Sequence, residues 1–485
     1  MRLILEGKIN KTYVQSLCMM FFHGEKFPEI EKNPRGAVFV RATEQNGGIL
    51  AECEFTYLDK TAKTSAFCVG EDGDSYERTS KCAVGKAVYQ AGRELTGKEI
   101  PWGILTGIRP SKVGAQLLSS FSYEKARDIL INKYLLSEKK AELVLSVAKN
   151  ETKILSSYGD DTCSLYVSIP FCPTRCEYCS FISYATPKLF QLIPSYLEKL
   201  CSELKEKAEI IKKTGKKLVT IYIGGGTPTT LDVEQLKILL EAIVGSFDLT
   251  HLEEFTVEAG RPDTITKEKL DVLKEYGVRR VSVNPQALND EVLLAIGRHH
   301  TVADFYNAYE IVSAEQFDSV NTDLIVGLSR DTYESFKSTI DKICALDPQN
   351  VTVHAFSVKK SARILENDSQ IYEKQDTSAV LSMEYAYERL ISSGYEPYYM
   401  YRQKNTVCDL ENVGYTKIGK ECRYNVLMMS DSHTVFSCGA GATTKLVKKI
   451  DGKEAISRIF SPKYPYEYLQ DNQSKEKEIL AFFEK

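Results

Sequence analysis

Long hydrophobic runs are absent from this chain of 485 residues. Leu17–Phe22, the apolar stretch nearest the N-terminus, falls far short of the about 20 apolar residues that span a bilayer. Met1–Asn10, interrupted by Glu6 and Lys8, carries no legible export signal. A dominant charge is missing as well: 62 Lys and Arg against 66 Asp and Glu leave −4. No basic field therefore draws the chain to nucleic acid or an anionic membrane. Tryptophan occurs once, and neither a fixed-period repeat nor a low-complexity tract is visible. The cysteines, 13 in number, cannot all pair, which excludes a complete disulfide framework. Such usage points to a reducing compartment, where clustered thiols bind metal or react. The expectation is a cytoplasmic protein with no nucleic-acid partner and no membrane span.

What is present describes a soluble globular protein, 43% hydrophobic and 26% charged. At 54.6 kDa it exceeds one ordinary core, so two or three domains are expected. Residues Ala37–Arg41 and Ile49–Phe55 are strand-like and flank Asn46-Gly47-Gly48, a hairpin signal. A helical face of Val84, Ala87, Val88, Ala91 and Leu95 follows. The run Pro101–Pro110 is dense in turn formers and holds the tryptophan; Tyr123–Lys153 reads as helical and charged. A polar joint at Ser156–Asp161 marks a domain boundary.

Beyond the joint, short β-branched runs alternate with amphipathic stretches. Strands are expected at Leu165–Ile169, Leu218–Ile223, Glu254–Val257, Arg280–Val283, Ser319–Val326 and Val351–Phe356. Helical patterns at Pro194–Lys213, Val233–Val244, Lys267–Tyr276, Ala303–Ala314, Glu334–Ala345 and Ser378–Ser392 lie between or after them. This alternation means βαβ units and a parallel sheet. Either a doubly wound sheet or a partial barrel fits, and in both the chemistry sits at the carboxyl ends of the strands. From Gly394 onward Tyr-rich segments, then Val426–Met429 and Thr434–Ser437, read as further strands.

The strongest motif is Cys172-Pro173-Thr174-Arg175-Cys176-Glu177-Tyr178-Cys179, a C-x3-C-x2-C array directly after the first strand of this region. Three thiolates are one short of the four that a [4Fe–4S] cluster or a closed structural zinc takes, which leaves an open iron for a small molecule. Reduced structural cysteines are the plainer alternative, but three at one strand mouth are improbable by chance. One βα unit later stands Gly224-Gly225-Gly226-Thr227-Pro228-Thr229, whose glycines let backbone N–H groups approach a bound carboxylate or amine. It is not the dinucleotide G-x-G-x-x-G. Glu258 and Asp323, carboxylates at strand ends, suit ribose hydroxyls or an ammonium, and the fork of Arg298 suits a carboxylate.

The cysteine spacing resembles the radical S-adenosylmethionine (SAM) superfamily. The set Tyr166–Phe181, Gly224–Thr229, Glu258, Gln286, Arg298 and Asp323 resembles, within it, the oxygen-independent coproporphyrinogen III oxidase family over roughly residues 165–442. That family is also called coproporphyrinogen dehydrogenase. The extension carrying Trp102-Gly103-Ile104-Leu105-Thr106-Gly107-Ile108-Arg109-Pro110 is similar to its HemZ-type branch.

The resemblance implies an α/β fold: a partial (β/α)6 radical-SAM barrel with an N-terminal α/β domain and a C-terminal strand-rich extension. The expected divisions are 1–155, an accessory domain; 160–395, the partial barrel; and 396–485, an extension closing it. It implies a [4Fe–4S] cluster on Cys172, Cys176 and Cys179. One or two SAM molecules would contact Tyr166, Tyr178, Gly225, Gly226, Thr227, Glu258, Gln286, Arg298 and Asp323. In the family an electron from the cluster cleaves SAM to methionine and a 5′-deoxyadenosyl radical, and the protein orients the reactants and excludes side reactions. The implied activity is oxidative decarboxylation of coproporphyrinogen III propionates to vinyl groups, giving protoporphyrinogen IX in porphyrin and haem biosynthesis. The implied partners are a tetrapyrrole substrate and a low-potential electron donor such as flavodoxin or ferredoxin. No protein base is required for hydrogen abstraction.

Two other readings remain open. Phe181, where the authentic oxidase branch has a fourth cysteine, resembles the haem-chaperone branch, although that branch's H-N-x-x-Y-W signature is missing and only Tyr424-Asn425 stands nearby. A radical SAM enzyme that opens or methylates a tetrapyrrole ring is the other. Secondary candidates are His299-His300 (a proton donor or haem ligand, at most one pointing inward), His354, an auxiliary cluster on Cys408, Cys422 and Cys438, and Arg261, Arg279 and Arg280 as clamps for propionates. The Tyr395–Tyr401 stripe reads as sheet packing.

Overall fold

A computed structural model describes the chain except residues 29–34, 71–74, 180–186, 358–376, 404–405 and 485. Phe181 therefore lies outside the described residues. The chain divides into two compact units.

The first comprises Met1–Lys149 together with Met400–Asp409. Its sheet contains β1 (Arg2–Glu6), β2 (Gly36–Gln45), β3 (Gly48–Tyr57) and β4 (Lys60–Val69), in that spatial order. β1 runs parallel to β2 and the other pairs are antiparallel. The β2–β3 hairpin turns on Asn46 and Gly47, both at positive φ (48° and 75°), as a two-residue turn of this hand requires. The helix Tyr76–Thr96 starts on Ser75, whose side chain accepts from the Arg78 N–H, and stops at Gly97 in the left-handed conformation. Its buried face, Ala83, Val84, Ala87, Val88 and Ala91, covers β3 and β4.

The lone tryptophan is 1% exposed, with the Arg402 guanidinium 4.8 Å and the Lys140 ammonium 5.6 Å from its ring centroid. The segment around it also interrupts the expected Tyr123–Lys153 helix. Ile104 N–H bonds to the Tyr134 carbonyl and Ser137 N–H to the Pro101 carbonyl, while Leu135 adopts φ 59°. Tertiary bonds thus split that stretch into Tyr123–Asp128, a π turn at Ile129–Lys133, and Glu138–Leu155.

The second unit holds an eleven-stranded sheet. Its strands are β5 (Thr162–Ile169), β6 (Lys217–Gly225), β7 (Glu254–Val257), β8 (Arg280–Ser282), β9 (Ser319–Val326), β10 (Asn350–Ala355), β11 (Glu396–Arg402), β12 (Glu411–Thr416), β13 (Thr434–Cys438), β14 (Thr443–Ile450) and β15 (Lys453–Phe460). The spatial order is β11-β12-β10-β9-β8-β7-β6-β5-β13-β14-β15. From β5 to β10 every neighbour pair is parallel and follows chain order. A doubly wound sheet would reverse its order at a switch point. The absence of any reversal among these six strands gives the singly wound arrangement of a partial barrel. The connecting helices carry their own stop and start signals. Asp232 and Gln235 form a capping box ahead of Val233–Ser246, and Thr301 and Asp304 do so ahead of Val302–Ala314. β13 adds a seventh parallel strand, on the free side of β5.

Val426–Met429 is not a strand. It belongs to a helix, Arg423–Met429. The cause is Glu254 at the amino end of β7, 4% exposed, whose carboxylate accepts the N–H groups of Arg423 (2.7 Å) and Tyr424 (3.1 Å). Capping from a distant strand overrides the local β-branched signal. The same carboxylate lies 3.4 Å from Cys422 Sγ and 3.7 Å from Arg280 Nε, while Arg280 Nη1 donates to the Lys420 carbonyl at 2.9 Å. These groups close the amino-end floor of the barrel. Arg280 is therefore committed to the floor, at the opposite end of its strand from the mouth, and Arg279 is exposed. Neither occupies a position suited to clamping a substrate at the mouth.

Removing the floor carboxylate would leave a buried guanidinium without its counter-charge and two helix-end N–H groups unpaired. E254A should therefore lower stability by about 3–5 kcal/mol, read from urea unfolding followed by far-ultraviolet circular dichroism. E254Q, which keeps an acceptor oxygen, should lose less.

Candidate active site

The cysteine array leaves the carboxyl end of β5 as a loop enclosed by the glycine run of β6. Gly226 N–H donates to the Ile169 carbonyl (2.7 Å) and Thr227 N–H to the Phe171 carbonyl (2.8 Å). Two of the N–H groups expected to face a ligand are thus engaged within the protein. Only glycine permits the approach: a Cβ on Gly226 would lie 2.6 Å from the Phe171 oxygen and 3.0 Å from Cys172 Sγ. A Cβ on Gly224 would lie 2.8 Å from Glu258 Oε2. The run passes between the thiols and the carboxylate, and this position decides its composition.

Cys172 and Cys176 are each 8% exposed and Cys179 is half-buried. Cys172 Sγ shares a hydrogen bond with Thr227 Oγ1 at 3.2 Å. Arg261, 3% exposed, points one guanidinium nitrogen at Cys176 Sγ (3.7 Å) and at Thr174 Oγ1 (2.9 Å). Its other nitrogens grip Asp263 as a two-pronged fork (3.0 and 3.1 Å). Arg261, a candidate clamp for propionates, is a buried cation beside a thiol. Among the described residues no three Cys, His, Asp or Glu side chains converge as they would on a single metal ion. A four-iron cluster is a wider body whose ligands bind separate irons. Three sheltered thiols with a cationic donor and a hydroxyl against their sulfurs fit such a body.

Arg298 connects the loop to the neighbouring strands. Its Nε and Nη2 meet the Tyr178 hydroxyl (3.2 and 3.1 Å), and Nη1 donates to the carbonyls of Asn284 (2.8 Å) and Gly260 (3.4 Å). Burial pushes the Tyr178 phenol up, so it stays neutral. Next to Arg298, His300 is 3% exposed while His299 is exposed. Neither ring nitrogen of His300 has a hydrogen-bond partner among the described residues. Burial and the charges of Arg298 and Arg261 lower its pKa to about 4, so the ring is neutral at neutral pH.

Glu258 follows β7 at the mouth. Withdrawal from solvent, with the Asp323 charge adding, raises its pKa to about 7, against the Tyr222 hydroxyl (2.5 Å) and a Gly225 N–H that favour the anion. Tyr222 also belongs to a stack. Its ring centroid lies 4.5 Å from Tyr424 and 6.2 Å from Tyr166, with tilts of 22° in both cases. Tyr166 faces Tyr222 directly in the β5–β6 register, and Tyr424 comes from the first turn of the floor helix. Neither Tyr222 nor Tyr424 was singled out as a site residue. The usable signal was that Tyr222 precedes Gly224 by two, which puts both on one face of the strand.

Asp323 on β9 is held by Asn284 Nδ2 (2.8 Å) and Asn321 Nδ2 (2.7 Å), and His354 Nε2 lies 3.9 Å away. His354 Nδ1 meets Asn412 Oδ1 at 3.2 Å. Gln286 is 7% exposed at φ 70°, a left-handed conformation rare for a residue with a side chain. Its backbone bridges β9, bonding the Asp323 carbonyl and the Ile325 N–H, and its Oε1 has no hydrogen-bond partner among the described residues. Cys422 and Cys438 are each buried, in the floor and on β13, and Cys408 falls in the first unit.

The superfamily model for radical SAM proteins matches residues 166–343. The chain is 37% identical over 398 residues to the oxygen-independent coproporphyrinogen-III oxidase-like protein HemZ of Bacillus subtilis (strain 168), covering 80% of this chain and 78% of that protein. It is 31% identical over 332 residues to heme chaperone HemW of the same organism, covering 66% of this chain and 82% of that one. In structure it is similar to coproporphyrinogen III oxidase (HemN) from Escherichia coli, described as a radical SAM enzyme. The TM-score is 0.51 at 21% identity, over 68% of this chain and 71% of that one. No helix among the described residues is long and apolar enough to cross a membrane.

Between pH 4.5 and about 7 the unfolded Glu258 ionises while the folded one holds its proton, so the native state loses stability as pH rises through that window. E258Q should remove this decline, seen as a flatter dependence of the urea midpoint on pH. Y222F deletes a donor to the anion and should raise the Glu258 pKa further, read from the carboxyl carbon by NMR.

Proposed function

Because the chain belongs to the radical SAM family of oxygen-independent coproporphyrinogen III oxidase-like proteins, of HemZ type, we propose that it is an oxidoreductase that decarboxylates coproporphyrinogen III propionates to vinyl groups. The family's cofactors, a [4Fe–4S] cluster and SAM, are its own. The observation that carries the proposal is the gathering of thiols, carboxylates and guanidinium at the carboxyl ends of consecutive parallel strands β5 to β9.

In this reading Cys172, Cys176 and Cys179 hold the cluster, while Thr227 and Arg261 donate to their sulfurs. When bound, cluster and SAM together supply a radical that takes a hydrogen atom from carbon. Glu258 and the glycine run position the amino-acid end of SAM. Tyr166, Tyr178, Arg298, Gln286 and Asp323 orient the remainder, and the buried Oε1 of Gln286 and the sheltered carboxylate of Asp323 provide acceptors at the mouth. Each round removes a hydrogen atom, an electron and carbon dioxide from one propionate. A low-potential donor such as flavodoxin or ferredoxin supplies the initiating electron. No protein base is assigned.

The relation to heme chaperone HemW favours a second reading, haem binding and delivery without turnover. One experiment separates them: anaerobic reconstitution, then reductant, SAM and coproporphyrinogen III, with products read by mass spectrometry. Loss of carbon dioxide with deoxyadenosine formation is expected. Deoxyadenosine without decarboxylation would sink the oxidase reading, and stable haem binding without turnover would promote the chaperone. C176A should abolish the cluster's visible absorbance, and an intact cluster would overturn the ligand assignment.

The positive charge and N–H donor of Arg261 favour the more negative, reduced cluster. R261Q should therefore shift the midpoint potential downward in an EPR-monitored titration, and D263N, which removes the compensating anion, should shift it upward.

A further inference from the structure

The first unit contains a thiol pair that the cluster chemistry does not use. Cys68 lies near the end of β4, the edge strand of its sheet, and Cys82 lies on the helix Tyr76–Thr96 that packs against that strand. Their Sγ atoms are 3.2 Å apart and share a hydrogen bond. A disulfide would bring these adjacent sulfurs to about 2 Å. Cys68 keeps 9% of its surface exposed and Cys82 5%.

The two thiols are unequal. The hydrogen bond with Cys82 lowers the pKa of Cys68, and the charges of Lys86 and Lys133 lower it further. The same bond, with burial, holds the Cys82 thiol up. Lys86 is anchored beside the pair by donating to the Asn132 carbonyl at 3.1 Å, and Cys82 Sγ lies 3.9 Å from the Lys133 carbonyl. Elsewhere in this unit Cys18 and Cys53 are simply buried, and burial pushes both thiols up, Cys53 to about 12. A close pair between an edge strand and its covering helix, flanked by two lysines, is a different environment from an inert core thiol.

We propose that Cys68 and Cys82 form a thiol–disulfide exchange site for small-molecule disulfides, with Cys68 attacking and Cys82 resolving. The Cys68 thiolate attacks one sulfur of the disulfide RSSR, forming a Cys68–SR mixed disulfide and expelling RS⁻. RS⁻ takes the Cys82 proton and leaves as RSH. The Cys82 sulfur then attacks Cys68 Sγ, breaks the Cys68–SR bond and releases the second thiolate, which takes a proton from solvent. Two protein thiols are oxidised and one small disulfide is reduced to two thiols; excess small thiol runs the sequence backwards. The bond ties the edge strand to the helix that covers it, and the site is independent of the barrel.

The test uses the full chain, purified under reduction, exchanged into 2-hydroxyethyl disulfide, quenched with N-ethylmaleimide and mapped by peptide mass spectrometry. Wild type should show a Cys68–Cys82 link and lose two alkylated sites together. C82S should trap a mercaptoethanol adduct on Cys68, whereas C68S should leave Cys82 without an adduct. Alkylated Cys68 and Cys82 in treated wild type would overturn the proposal without reliance on any variant. Equal adducts on both single variants would overturn the assigned roles.

Discussion

The in-register pairing of β5 with β6 is the constraint on which the site depends. Tyr166 faces Tyr222, Ser168 faces Gly224 and Ile169 faces Gly225. That alignment brings the cysteine loop and the glycine run to the same height at the mouth. A shift of one residue would turn every side chain of one strand to the opposite face. It would remove Tyr222 from Glu258 and set side chains against the Cys172 sulfur, where only Gly226 fits. Parallel pairing of β13 on the other side of β5 places this strand within the sheet and away from its edge. The loop therefore emerges from a backbone bonded on both sides.

Charge is distributed along the barrel with different partners at its two ends. At the floor Glu254 is shared among Arg280, Cys422 and the start of a helix, so an expensive buried carboxylate is satisfied several times over. At the mouth Arg261 is paired with Asp263 and still presents a nitrogen to Cys176, whereas the hydrogen bonds of Arg298 among the described residues go to a phenol and two carbonyls. Two buried guanidinium groups thus stand by the cysteine loop while Glu258 stays close to its protonation midpoint. Buried cations beside thiols and a carboxylate of shifted pKa are the kind of perturbed groups that cluster at functional sites.

The alternation of β-branched runs and amphipathic stretches made the six parallel strands readable, because a strand buried on both faces and a helix covering it have different periods. The array of Cys172, Cys176 and Cys179 was readable for a simpler reason: its ligands are local in sequence. The floor helix was misread as a strand, since its cap, Glu254, lies far away in the chain. Tyr222 and Tyr424 were passed over because stacking across strands requires a register that no local window contains. Arg280 was named as a clamp for propionates because its partners at the floor, Glu254 and the Lys420 carbonyl, are remote in the chain.

By itself, then, the sequence determined the fold class, the position of the thiols at a strand mouth and the family. All three depend on short-range spacing and on hydrophobic period. Only the tertiary structure decided that the sheet is singly wound, that Arg261 and not Arg280 stands beside the cysteine loop, that Glu258 titrates near neutrality, and that Cys68 meets Cys82. These outcomes depend on distances between residues remote in the chain and on the exclusion of water, and neither exists until the sheet and its helices have packed.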